Sequence, residues 1–259
     1  MHLFRPFVTF SLGLLAACAG TTAPDPEPAA AARPYRSSFA EAAGNRFVAD
    51  LDRDQLASEL QGARVLWLGD QHRSSRLHAL QSELLTDLLH RGIRFTLAIE
   101  AIGTQDEPAV QQFLEQKVTL TQLRATMRER WSGSWLDDLD LDVWFYRSLL
   151  AFAASNQVPV FALEPTPRGR LADRDAVIAS TVQKLAADHP DRLIIAIVGQ
   201  AHLLGMGDLV ARTGLPAVTF GGEPTPALRD ASPENADRKL LRRSDAGLLW
   251  FSELCRRPD

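Results

Sequence analysis

The sequence predicts an α/β fold, a mainly parallel sheet with helices on both faces, in a single domain. Three observations carry this expectation. Short apolar runs recur along the chain, and the first four close on a glycine or a glutamate. The stretches between them are long enough for helices and carry leucines at helical spacing. Only two cysteines are present and no internal repeat is visible, so packing rather than cross-linking must build the core. Strands joined by helices rather than tight turns imply crossovers and hence parallel pairing.

Taken in order, residues 63–68 form the first buried-strand run, ending at Gly69. Ser74 or Ser75 supplies the cap of a helix over 75–91, with Leu77, Leu80, Leu84, Leu85, Leu88 and Leu89 on one face and Gly92 as its stop. A second strand over 95–99 stops at Glu100. Helical stretches follow near 107–115, 120–130 and 139–155. Residues 158–163 form a third strand ending at Glu164, and a helix over 170–188 leads to a fourth over 193–198, ending at Gly199. Residues 215–220 read as a fifth strand and 248–251 as a sixth, at the sheet edge.

The N-terminus has the three parts of an export signal: Arg5, an apolar run over 7–15, and Ala16-Ala17 directly before Cys18. The run is too short for a permanent span, which needs about 20 apolar residues. Leu15-Ala16-Ala17-Cys18 resembles a lipobox, which implies removal of residues 1–17 and attachment of a diacylglyceryl group to Cys18. Acyl chains contribute about 0.8 kcal/mol per buried CH2, so several on one residue make a stable anchor. Residues 18–37 are rich in proline and alanine and read as a tether. Ala19 rather than Asp follows the cysteine, which by the usual sorting pattern implies the outer membrane, facing the periplasm.

Residues 38–259 suit one domain. A content of 46% hydrophobic and 23% charged residues supports a real core, and a net charge of -4 leaves no electrostatic footprint for nucleic acid. With Cys18 acylated, Cys255 has no intrachain partner for a disulfide.

In parallel sheets, ligands sit beyond the carboxyl ends of the strands. Asp70 and His72 follow the first strand, Glu100 the second, Glu164 the third and His202 the fourth. Five ionisable groups therefore leave one edge of the sheet. Gly69-Asp-Gln-His72 and Gly199-Gln-Ala-His202 form a matched pair of Gly-x-x-His turns, in which glycine permits a close approach to the backbone. Glu100 closes an apolar strand, where a charge must be paired or bound to a cation; pairing with an arginine such as Arg174 is the structural alternative. His78 falls on the early turns of the following helix, either toward the crevice or on the surface. Arg168, Arg170, Arg174 and Asp175 follow Glu164 and suit either an anionic ligand or surface salt bridges. Tyr146 is the one tyrosine outside the tether region that carries Tyr35, and tyrosine can ligate ferric haem. His90 in a last helical turn and His189 in a loop read as structural.

Residues 65–72 (VLWLGDQH), His78, the Leu-Ala-Ile-Glu100 strand end, Trp144-Phe-Tyr-Arg147, residues 158–163 (VPVFAL), Arg174-Asp175 and residues 198–202 (VGQAH) occur in an order that resembles the ChaN-like haem-binding lipoproteins. That group belongs to a superfamily with the Tiki and erythromycin-esterase-like proteins. The resemblance spans about residues 60–222. It implies an α/β fold, outer-membrane attachment, haem binding for iron uptake, and haem held between two copies in a homodimer. His72, Glu100 and His202 match the pattern shared across the superfamily, and His78 matches a second histidine common in the ChaN-like group. Two departures stand out: Asp70 replaces a usual glutamate, and Glu164-Pro-Thr-Pro167 replaces an asparagine-containing segment.

Two functions follow. In the first, the protein binds haem or a related porphyrin, with His78, Tyr146 and Arg174 as the cofactor contacts. In the second, it is a metal-dependent hydrolase, with His72, Glu100 and His202 as catalytic residues and His72, Glu100, His202 and Asp70 as ligands to a divalent metal such as zinc or iron.

Overall fold

A computed structural model describes residues 28–130, 135–139, 141–165, 169–233, 237 and 239–255. The signal segment 1–17, Cys18 with the first part of the tether, and Arg168 lie outside the described residues.

The chain begins with helix α1 (Pro28–Ala43), strand β1 (Phe47–Leu51) and helix α2 (Arg53–Leu60). Then come β2 (Val65–Asp70), α3 (Ser75–His90) and β3 (Phe95–Gly103), followed by α4 (Glu107–Leu114), α5 (Leu120–Arg130) and α6 (Val143–Asn156). Next are β4 (Val160–Glu164), α7 (Leu171–Asp188), β5 (Leu193–Gly199) and the short α8 (Gln200–Leu203) and α9 (Leu209–Thr213). β6 (Ala217–Phe220), α10 (Pro226–Asp230), β7 (Leu241–Ser244), β8 (Leu249–Phe251) and a 3-10 turn (Ser252–Cys255) complete it.

The strands form one sheet in the order β1-β7-β8-β6-β2-β5-β3-β4. β8, β6, β2, β5, β3 and β4 pair in parallel, and only the β1-β7 and β7-β8 contacts are antiparallel. Alternation along each central strand divides the core between two faces. Leu66, Leu68, Leu97, Ile99, Ile195 and Ile197 pack one way, among side chains of α2 to α6. Val65, Trp67, Ala98, Ile194, Ala196 and Val198 pack the other way, among those of α7, α9 and α10. The fold is therefore the mainly parallel α/β sheet with helices on both faces. Among the described residues no helix is long and apolar enough to cross a membrane.

Several elements differ from the sequence expectation. The last strand, β8, is internal, lying between β7 and β6, and the edges are β1 and β4. The helix expected over 139–155 starts at Val143, because the Asp142 side chain accepts the Phe145 N–H and caps it there. The stretch 28–37, read as tether, is the start of α1. Proline at a first helical position and a run of alanines, the strongest helix formers, explain why. β3 runs past Glu100 to Gly103, and its register against β4 slips between Ile99 and Gly103. Glu100 therefore stands where the ladder is broken rather than where the strand ends.

Candidate functional site

All five acidic and histidine residues expected beyond the strands lie at one edge of the sheet, but they fall into two hydrogen-bonded networks. The networks meet at Gly199, which is the register partner of Asp70 across β2 and β5.

The first network is centred on Asp70 at the end of β2. Its Oδ2 accepts the Tyr146 hydroxyl at 2.6 Å and meets His72 Nδ1 at 2.9 Å, while its Oδ1 meets His78 Nε2 at 2.7 Å. The other nitrogen of His78, Nδ1, lies 2.9 Å from Asp142 Oδ2. The His78 ring is also stacked on Phe145, with centroids 4.0 Å apart. An imidazole with a carboxylate at each nitrogen donates from both. Burial alone would lower the pKa of His78, but Asp70 and Asp142 raise it overall. Burial likewise pushes the Asp70 carboxyl up, and the hydrogen bonds and charges of His72 and His78 overcome this, holding it well below the usual carboxylate range. The Tyr146 phenol moves strongly upward, first through burial and then through the Asp70 charge.

Helix geometry explains why these groups meet. His78 lies on the inward face of α3, together with Leu77 and Gln81, and Gln81 Nε2 donates to the Gly69 carbonyl at 3.0 Å. Tyr146 lies on the inward face of α6 with Phe145 and Leu149. Asp142 does three things: it caps α6, holds His78, and donates its backbone N–H to the His72 carbonyl at 2.7 Å. Within this network His72 is the member that reaches solvent, with 43% of its side chain exposed against 2% for His78.

The second network is closed. Arg174 of α7 bonds both Glu100 and Glu164, the latter at 2.5 Å. His202 of α8 places Nδ1 on Asp175 and Nε2 3.1 Å from Glu100 Oε1. The Gly199 N–H donates to Glu100 Oε2. Glu100, Glu164, Arg174, Asp175 and His202 are all buried. Burial raises the Glu100 pKa, but His202, the Gly199 N–H and Arg174 outweigh this and bring it down to about 2. For His202, burial lowers the value, while Asp175 and Glu100 raise it to about 9.

The two glycines of the matched turns serve different needs. A Cβ on Gly69 would lie 2.8 Å from the Gly222 backbone nitrogen and 2.9 Å from the Phe220 carbonyl oxygen, so β2 and the chain after β6 approach too closely for any side chain. A Cβ on Gly199 would point between the networks, 3.3 Å from Glu100 Oε2 and 3.5 Å from His72 Nε2.

The candidate residues are divided between the two networks: Asp70 and His72 belong to the first, Glu100 and His202 to the second. Asp70 is bonded to His78 and Tyr146, and the Arg174 guanidinium already neutralises Glu100. Among the described residues no group of three or more His, Cys, Asp or Glu side chains is arranged to hold a metal ion. His78, Tyr146 and Arg174, read as cofactor contacts, are buried within the networks. Arg170 is exposed and pairs with Asp173 at 2.9 Å. Asp142 was not singled out in the sequence; the only signal for it was an aspartate directly before a helix.

Residues 56–169 match the family model described as "Haem-binding uptake, Tiki superfamily, ChaN". No curated protein matches the chain. Among solved structures, the type III effector HopBA1 is 14% identical, with 76% of this chain and 91% of that one covered at a TM-score of 0.50. RRSP, a MARTX toxin effector domain from Vibrio vulnificus, is 19% identical over 80% of this chain and 40% of its own, at 0.47. ChaN of Campylobacter jejuni, in a structure titled for cofacial heme binding, is 11% identical over 66% and 86%, at 0.44. The chain spans about two fifths of the length of the bacterial toxin structures it matches. Over residues 56–169, under half of its length, the chain is similar to the ChaN-like family of the Tiki superfamily.

Proposed function

We propose that the protein is an outer-membrane-anchored lipoprotein that binds haem or a related iron porphyrin for iron uptake, with His72 as the residue presented to the iron. The observation that carries this reading is the Asp70–His72 pair: an exposed imidazole whose Nδ1 is held at 2.9 Å by a buried carboxylate. A carboxylate on one ring nitrogen fixes the tautomer and raises the basicity of the other toward a metal. Haem would bring an iron that accepts imidazole and a flat apolar face that needs cover.

The surface beside His72 suits such a ligand. A cavity of about 300 Å3 is lined by Arg73, Ser75, Leu139, Leu141 and Asp142. Leu139 is 93% exposed, and Trp144 is also largely exposed. A porphyrin or a second copy of the chain seated at this opening would cover Leu139, which otherwise stands in water. Arg73 supplies a cation for a propionate at the same opening. The family's description supports the ligand, and the lipobox-like segment ending at Cys18 supports the anchor.

Haemin titration of the full chain in detergent tests the ligand. A saturable Soret band is expected, at least tenfold weakened in His72→Ala. Absence of specific binding at micromolar haemin overturns the reading. Labelling with radioactive palmitate, lost in Cys18→Ser, tests the anchor separately.

The same pair supports a second reading, a hydrolase, because a carboxylate on Nδ1 is also how a histidine general base is oriented. Ester and peptide turnover that depends on His72, with or without added zinc or iron, would favour it. No turnover under either condition would dismiss it.

A further inference from the structure

Four hydrogen bonds close into a ring around His72. From the imidazole the ring runs through Nδ1 to Asp70 Oδ2 at 2.9 Å, and from Asp70 Oδ1 to His78 Nε2 at 2.7 Å. His78 Nδ1 then meets Asp142 Oδ2 at 2.9 Å, and the Asp142 backbone N–H donates back to the His72 carbonyl at 2.7 Å. His72 is thus gripped at its backbone and at its side chain, and Asp142 joins the two grips. Asp70, His72 and His78 come from the end of β2 and the start of α3, whereas Asp142 arrives from the loop before α6.

That loop is held on both sides. Downstream, Asp142 Oδ1 accepts the Phe145 N–H at 3.3 Å, and the Phe145 ring stacks on His78. Upstream, Arg124 of α5 and Arg147 of α6 both bond Asp137 Oδ1, at 2.7 and 2.9 Å. Leu139 and Leu141 fall between these two anchors and line the cavity beside His72 together with Asp142.

Such a hold matters because His72 has a carboxylate on either side. Across Gly199 lies Glu100: a Cβ on that glycine would be 3.3 Å from Glu100 Oε2 and 3.5 Å from His72 Nε2. Either nitrogen of a neutral imidazole can carry the hydrogen, and the hydrogen-bond partner decides which.

We propose that Asp142 is a positioning residue for His72: through His78 and Asp70 it holds the imidazole with Nδ1–H on Asp70 and Nε2 bare. Each bond in the ring orients the next. His78, held at Nδ1 by Asp142, keeps its Nε2–H on Asp70 Oδ1, and Asp70 so held keeps Oδ2 turned to His72. A ligand seated beside Leu139 and Leu141 meets the same residue that aims His72.

The first test needs no ligand. Serine and asparagine both cap helices well, so Asp142→Ser and Asp142→Asn keep the start of α6, and both keep the backbone N–H. Only asparagine is long enough to reach His78, to whose Nδ1 its amide can donate while Nε2–H stays on Asp70. Long-range nitrogen–proton spectra of the full chain in detergent, with isotopically labelled histidines, read the tautomer of each neutral ring. His72 is expected to carry its hydrogen on Nδ1 in the unsubstituted chain and in Asp142→Asn. In Asp142→Ser at least about a third should move to Nε2, at the Tm of Asp142→Asn and with His90 and His189 unchanged. A His72 still protonated at Nδ1 in Asp142→Ser overturns the proposal. An equal shift in Asp142→Asn, or one shared by His90 and His189, overturns it too.

The consequence for binding rests on the haem reading, with haemin as the probe. Asp142→Ser should bind haemin at least threefold more weakly than Asp142→Asn. A tautomer shift without that loss overturns His72 as the residue presented to iron and leaves the positioning role standing. If no Soret band forms in any of the three proteins, the haem reading falls and the tautomers alone decide the role of Asp142.

Discussion

The two networks at the sheet edge are built from the same residue types yet differ in what they can do. Around Glu100, every side chain is buried and each charge faces an opposite one: Arg174 spans two carboxylates, and His202 lies between Asp175 and Glu100. Around Asp70, two members are buried clamps, and the third, His72, extends into solvent from a carboxylate they hold in place. The first network has the form of a buttress for the Gly199 turn, and the second has the form of a presented ligand. Two histidines after matching glycine turns thus take different roles, because His202 is enclosed by α7 while His72 emerges beside the loop before α6.

Removing Arg174 is expected to have the largest effect. Arg174→Ala leaves Glu100 and Glu164 buried together without their shared cation, a loss of about 3–5 kcal/mol. Urea denaturation measures it, and a loss below about 1 kcal/mol would show that the carboxylates find water or other partners. Arg174→Lys keeps the charge, and since a single nitrogen, Nη2, bonds both acids, it should recover part of the stability to the extent that the shorter side chain reaches them.

The pH dependence of the same network comes next. Glu100 is lowered from 4.5 to about 2 by folding, so its contribution is present above about pH 4.5 and is lost as pH falls toward 2. His202 is raised from 6.5 to about 9, so its contribution is full below about pH 6.5 and is lost as pH rises through 9. Both operate fully between those limits, where stability should be greatest. In His202→Gln the decline between about pH 6.5 and 9 should disappear from the denaturation curve. If it persists, the alkaline loss belongs to another group.

How far the sequence discloses this contrast depends on the level. The central strands are legible because buried parallel strands are continuous apolar runs, and their final residues identify the crevice. β1 and β7 are not legible. Phe47–Leu51 is a short edge strand with only Leu51 buried, and its neighbour Leu241–Ser244 is mostly polar, with Arg242 paired to Asp50 and Arg243 to Glu59. Without β7, the strand at 249–251 looks like an edge. At the site, the pairing of Glu100 with Arg174 follows from the cost of a lone buried charge. The clamp on His78 does not, because Asp142 arrives from 64 residues away and helix periodicity gives a face, not a partner. Periodicity also places Tyr146 inside without showing that its hydroxyl would meet Asp70 rather than an iron.

For the open network, His72→Ala tests presentation. Haemin affinity should fall about 10- to 100-fold, with stability changed by no more than about 0.5 kcal/mol because the side chain is largely exposed. Equal losses of stability and affinity would mean that His72 is a structural member like His202.

The smallest expected effect is also the sharpest discriminator. Tyr146→Phe removes one of three donors to the Asp70 carboxylate, which should cost about 1–2 kcal/mol of stability. The charge no longer shared with the phenol falls more fully on His72 Nδ1–H, and a stronger acceptor there makes the opposite nitrogen a better donor to iron. Stability and haemin binding should therefore separate: the variant melts lower, yet binds haemin as tightly as before or up to about threefold tighter, with the Soret maximum unmoved. A phenol acting as the iron ligand gives the opposite result, with the ligand band lost and affinity collapsed. In that case α6 would have to turn Tyr146 away from Asp70, and the open network would be a resting arrangement rather than the binding one.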